Sequence, residues 1–143
     1  MSISAILSPV FVQVALTLFL LFRMGSARFG SLKRGEVRVV DIALAQPAWP
    51  EAATKASNAY HNQFQIPVLF YVLVSLALVT RQADLLFVAM SWVFVATRLA
   101  HAAVHVTTNH VPTRFRLFVV GVFVLMVMWA IFALRILLRD GPF

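Results

Sequence analysis

Residues 58–80 read NAYHNQFQIPVLFYVLVSLALVT, and they join two unlike textures. From residue 64 onward the run is almost wholly apolar and close to the roughly 20 residues that cross a bilayer core as a helix. Lipid offers the backbone no hydrogen-bond partners, so a spanning stretch of this kind must be helical. The entry to the run is polar: Asn58, His61, Asn62 and Gln65 recur at spacings of three, four and seven, which puts them on one helical face. Polar side chains in a membrane are costly and default to a functional reading.

Working outward, three more apolar stretches appear, and the four predicted helices cover about 3–22, 51–80, 85–106 and 114–138. Apolar residues make up 62% of the 143-residue chain and charged residues 12%. Soluble domains average about 45–50% and about 25%, so a water-soluble fold is excluded. The sequence predicts one all-α integral membrane domain over residues 1–143, a four-transmembrane-helix bundle. In the second helix Pro50 suits the first helical position and Glu51 the N-terminal turn. Pro67 lies inside it and is expected to kink it or relax one turn. No basic leader or small-residue cleavage pattern accompanies the first stretch, so it reads as a retained helix.

The net charge of +7 comes from residues flanking the apolar stretches: Arg23, Arg28, Lys33, Arg34 and Arg38 in the first connection, Arg114 and Arg116 after the third. That distribution fits basic membrane-side loops and not a nucleic-acid surface. It places the first and third loops in the cytoplasm and both termini outside, as in a bacterial inner membrane or another cytoplasm-facing membrane. Arg135 and Arg139 weaken this bias without reversing it. Pro47 and Pro50 sit in the long first connection, and residues 37–42 suit a segment lying along the membrane surface. There is no cysteine, hence no thiolate nucleophile and no disulfide.

A second polar stripe leaves the third stretch: Arg98, His101 and His105, again at spacings of three and four. Alternating helix directions bring both stripes to one depth, with Arg114 opening the fourth helix at the same level. Such a layer suits a hydrophilic anionic ligand with a lipid-soluble partner. The structural alternative is that Asn, Gln and His act as interhelical hydrogen-bond glue while the arginines snorkel. His101 and His105 at i and i+4 also invite a metal, but no carboxylate lies in the stripes and Arg98 repels a cation, so no metal is predicted.

At several separated places the pattern resembles the MAPEG family (membrane-associated proteins in eicosanoid and glutathione metabolism). These are the basic first loop, Asn62 followed by Pro67, the Arg98–His101–His105 stripe, Arg114, and Phe118-Val119-Val120-Gly121. The spacing from Arg98 to Gly121 is similar to microsomal glutathione transferases, and the resemblance covers residues 10–138. It implies a homotrimer of four-helix bundles with glutathione as co-substrate, bound between neighbouring subunits near the cytoplasmic face. Asn62, Arg98, His101 and Arg114 match the family pattern. Asn58 stands at a family Arg, Gln65 at a family Glu, and His105 at a position commonly Tyr. The implied activity is glutathione transfer or peroxide reduction on lipophilic electrophiles. Arg114 would stabilise the thiolate, Arg98 and Asn62 would hold carboxylates, and His101 and His105 would add polar contacts beside Asn58, His61 and Gln65. The loss of both second-helix charges opens a different class of reading, a catalytically silent accessory subunit of a larger membrane complex. A channel is disfavoured because the polar layer occupies only half the membrane.

Overall fold

The computed structural model describes residues 1–43 and 48–138; Pro47 of the first connection and Arg139 near the C-terminus lie outside the described residues. Among these residues every regular element is helical, and four helical spans are long and apolar enough to cross a membrane. The protein is an all-α, multi-pass membrane bundle.

The first span, α1 (Ile3–Lys33), is capped by Ser2, whose hydroxyl accepts from the Ala5 N–H. At 31 residues it is about 46 Å long, well beyond the hydrocarbon core. The sequence reading ended this helix near residue 22 and put Arg23, Arg28 and Lys33 in a loop; all three are helical. Falling hydropathy marks where lipid ends, whereas a helix ends where its backbone is stopped. Here the stop is Gly35 at φ +71°, where the Gly35 N–H donates to the Leu32 carbonyl and the Glu36 N–H to that of Ser31. Beyond it a short 3₁₀ turn, Val39–Ile42, presents Val39 and Val40 outward while Arg38 pairs with Asp41.

The second span is broken. Helix α2 (Glu51–His61) passes into a 3₁₀ turn, Asn62–Phe64, and restarts after Gln65 as α3 (Ile66–Val79). Proline is the cause: Pro67 lacks the N–H that would bond the Gln63 carbonyl and its ring crowds that group, so it occupies the first turn of a new helix. Pro50 is the cap residue of α2 and not its first helical residue.

A tight turn follows, with Arg81 at φ +57° and the Gln82 N–H on the Ala77 carbonyl. Helix α4 (Leu85–Val106) then begins under Asp84, whose carboxylate accepts from the Phe87 N–H at 2.9 Å. It ends at a second left-handed residue, Asn109 at φ +52°. Helix α5 (Val111–Leu137) carries Pro112 in its first turn and buries Gly121, Leu125, Met128 and Phe132, one stripe at helical spacing. Its partners include stacked Phe70 and Phe94, with ring centroids 4.7 Å apart, and Leu73, Val74 and Val95. At Gly121 helices α4 and α5 meet closely: a Cβ there would lie 2.7 Å from the Thr97 hydroxyl, which is itself tied to the Phe94 carbonyl.

Candidate functional site

The C-terminal end of α4, the break between α2 and α3, and the first turns of α5 meet at one end of the bundle. Arg98 lies about 12 Å from the end of α4 and about 20 Å from its start, so it is inside the membrane-crossing part. It is only 1% exposed, yet no carboxylate pairs with it among the described residues. Its one side-chain partner is the amide oxygen of Asn62, which accepts from Nη2 at 2.8 Å. The Arg98 Nε–H has no partner among the described residues.

One and two turns further along α4 come His101 and His105, both buried, with edge-to-face rings 5.7 Å apart. The Nδ1 atom of each lacks a hydrogen-bond partner among the described residues. The His101 ring lies 6.3 Å from that of Phe118, which stands one turn beyond Arg114 on α5. Arg114 is half-buried, donates through Nη1 to the side-chain oxygen of Asn109, and keeps a buried Nε–H without a partner. Two guanidinium and two imidazole nitrogens thus lie along two turns at this end of the bundle, unpaired among the described residues. Buried polar atoms in native proteins are mostly satisfied, so this concentration of exceptions calls for an explanation.

The second-helix candidates divide. Asn62 is half-buried and turned to Arg98, whereas Asn58, His61 and Gln65 are exposed. The buried face of α2 carries Ala53, Ala56, Ser57 and Ala59, so Asn58 and His61 look away from the bundle. Glu51 and Thr54 continue that outward face at spacings of three and four. Within one chain, then, the structure brings Asn62, Arg98, His101 and His105 together, with Arg114 near them, and leaves Asn58, His61 and Gln65 on the far side of α2. Asn62 alone joins the two sets.

Sequence reasoning missed a second polar pair. Gln13 of α1 and Gln63 of the 3₁₀ turn are both essentially fully buried; the Gln13 amide donates to the Gln63 side-chain oxygen at 2.9 Å, and the Gln63 amide donates to the Ala59 carbonyl at 3.0 Å. The available signal was Gln13 itself, a lone amide inside the apolar run of the first span. Among the described residues no three metal-ligating side chains converge.

Outside the membrane four ion pairs form among the described residues. Arg34 holds the Glu36 carboxyl below its ordinary range by a 2.6 Å hydrogen bond. At the opposite end Arg135 does the same for Asp84.

Compared with known proteins, the chain matches the family model described as MAPEG family over residues 6–134. No curated protein and no solved structure matches it.

Proposed function

The chain belongs to the MAPEG family, and from that premise we propose that it is a glutathione-dependent membrane enzyme, a transferase or peroxidase acting on lipophilic electrophiles. The observation that carries this reading is the buried Arg98 with no carboxylate partner, held by Asn62 in a layer of unpaired nitrogens. Such a layer is built for an anion. It fits the carboxylates and thiolate of glutathione. For the ligand's ammonium the outward face of α2 offers the neutral oxygens of Asn58 and Gln65.

Arg114 stabilises the thiolate by charge, and the thiol proton leaves to water. In transfer the sulfur attacks an electrophilic carbon arriving from the bilayer, a C–S bond forms, and the leaving group departs. In peroxide reduction two thiols are oxidised to a disulfide while the hydroperoxide becomes an alcohol and water. Arg98 is sealed inside its own chain, so it acts by orienting Asn62. The outward Asn58, His61 and Gln65 need a neighbour to enclose a ligand, which favours a homotrimer with the site at the subunit boundary. The basic connections at this end favour a cytoplasmic position.

Glutathione binding to detergent-solubilised protein, followed by calorimetry, tests the reading. The expected result is binding that Arg114→Ala abolishes, together with a fall of about 100-fold in thiol transfer to a chloronitrobenzene, the scale of losing one charge-stabilising donor. Unchanged turnover in Arg114→Ala would remove the role assigned to it. One observation favours a second reading: the exposed polar face from Glu51 to Gln65 suits a membrane partner as well as a ligand. Absent thiol binding, with one complex reproducibly co-purifying, would support an accessory subunit instead.

A further inference from the structure

One face of α1 is lined by a groove along most of its length. Its deep part, about 500 Å³, lies between α1 and α4 and is almost wholly apolar, with Val12, Leu16 and Phe19 facing Leu99, Ala103 and Val106. Phe19 continues it into a space of about 550 Å³ between α1 and α2, where Phe22 and Arg23 face Ala52 and Ala56. Arg23, Ala52 and Ala56 in turn border a mouth of about 540 Å³ rimmed by Arg34, Lys55, Glu36 and Glu51. The residues of α1 concerned recur at three- and four-residue spacing, so the three spaces follow a single helix face.

The lengths match a lipid. From Val12 to Phe22 the helix rises about 15 Å, half of the roughly 30 Å hydrocarbon core, and Arg23 follows directly. The apolar part of the groove is therefore one leaflet deep, and its charges begin where headgroups begin. Phe19 and Phe22 are 58% and 72% exposed, so apolar surface is free for an acyl chain.

The rim chooses the headgroup. Arg23 is exposed, gives one N–H to the Val106 carbonyl at 3.2 Å, and meets no carboxylate among the described residues, so its remaining donors are free for a phosphate. Glu36 pairs with Arg34 and Glu51 with Lys55, and both carboxylates remain exposed on their other sides, able to accept from an ammonium. A rim with both signs and one positive charge in excess complements a phosphate joined to a primary amine. A choline headgroup has no N–H to donate and makes the poorer partner.

We propose that this groove binds one phospholipid of the phosphoethanolamine class, its phosphate on Arg23, its ammonium between Glu36 and Glu51, and an acyl chain along α1 and α4. The inference is independent of whether the polar layer beneath it binds a thiol.

The test is lipid retention. The full chain is reconstituted in vesicles holding equal amounts of phosphatidylethanolamine, phosphatidylcholine and phosphatidylglycerol, re-extracted in mild detergent, and its bound lipid measured by native mass spectrometry. Phosphatidylethanolamine is expected in excess over phosphatidylcholine by about threefold, the scale of one exposed charge-assisted contact. Arg23→Ala is expected to abolish the excess by losing the phosphate contact. Ala103→Phe is expected to abolish it by filling the groove at an exposed position without touching a charge. Helical content is followed by circular dichroism, and Ala103→Phe keeps the test decisive if Arg23→Ala misfolds. In Glu36→Gln/Glu51→Gln total lipid should persist while the preference shifts to phosphatidylglycerol. Retention at the bilayer's own composition, or an excess that survives either groove substitution, would overturn the proposal. So would dissociation of an oligomer by Ala103→Phe with no lipid bound to the wild type, which would make the groove a seat for a second copy.

Discussion

The two ends of the bundle treat charge in opposite ways. At the end where α3 turns into α4, Arg135 reaches Asp84 at 2.6 Å and also donates to the Gln82 carbonyl, while Asp84 caps α4. Arg135 and Asp84 answer each other there, and the pair pins the last turn of α5 to the first of α4. At the other end Arg98 is the more deeply buried group and has only a neutral amide for a side-chain partner. An ion pair that closes on itself needs nothing else, so it reads as fastening. A buried cation held by a neutral amide fixes that amide without cancelling its own charge, and that distinguishes a site from a clasp.

The sharpest way to break this contrast is to remove the amide. Asn62→Ala leaves the Arg98 charge buried and without its side-chain partner, and losing a hydrogen bond to a charged group costs about 1.5–3 kcal/mol. Unfolding of the purified protein in detergent should show a loss of that order. Arg98→Met, which exchanges the charge for a flexible apolar chain, should be far milder and should rescue most of the loss when combined with Asn62→Ala. A loss of only a few tenths in Asn62→Ala would mean that Arg98 is satisfied by other means, and the two ends would no longer differ in kind.

A medium-sized effect is expected one residue on, where Gln63 faces the opposite way into Gln13. Gln63→Leu strands the Gln13 amide in the core and should cost about 1 kcal/mol, within the range of interhelical hydrogen bonds in membranes. Gln13→Leu/Gln63→Leu removes both groups and should recover much of that. A double-mutant cycle on unfolding free energies gives the coupling. Zero coupling would make Gln13 an isolated polar defect and not the lock that holds α1 against the helix break.

How far the sequence foretold all this follows from what each signal measures. Hydropathy located the four spans because it reports transfer into lipid, the same property that makes a span. It misjudged the end of α1 because Arg23, Arg28 and Lys33 leave lipid without leaving the helix; Arg28 is held over Trp49 and on the Ser57 hydroxyl. The break near Pro67 was legible, since a missing N–H is a local fact. Helical spacing grouped Asn58, His61, Asn62 and Gln65 on one face, but spacing has no reference direction. Only the buried alanines of α2 show that this face points outward, and Asn62 reaches Arg98 from its edge. Gln63, one residue away, went unremarked because its partner lies in another span, and a pairing across fifty residues leaves no local trace.

The smallest expected effect belongs to the clasp and is visible only in acid. Arg135 holds the folded-state pKa of Asp84 below 3.8, with the capping N–H of Phe87 adding to it. A carboxyl with a depressed folded pKa contributes stability that is complete above its unfolded value, near 3.9, and lost as pH falls through the folded value. Stability should therefore be flat in this group from neutral pH to about pH 4 and decline only below that. Both side chains are partly exposed, so the contribution is under about 1 kcal/mol. Asp84→Asn should remove the acid-side slope while lowering stability at neutral pH by the same small amount, and raised salt should shrink the difference further.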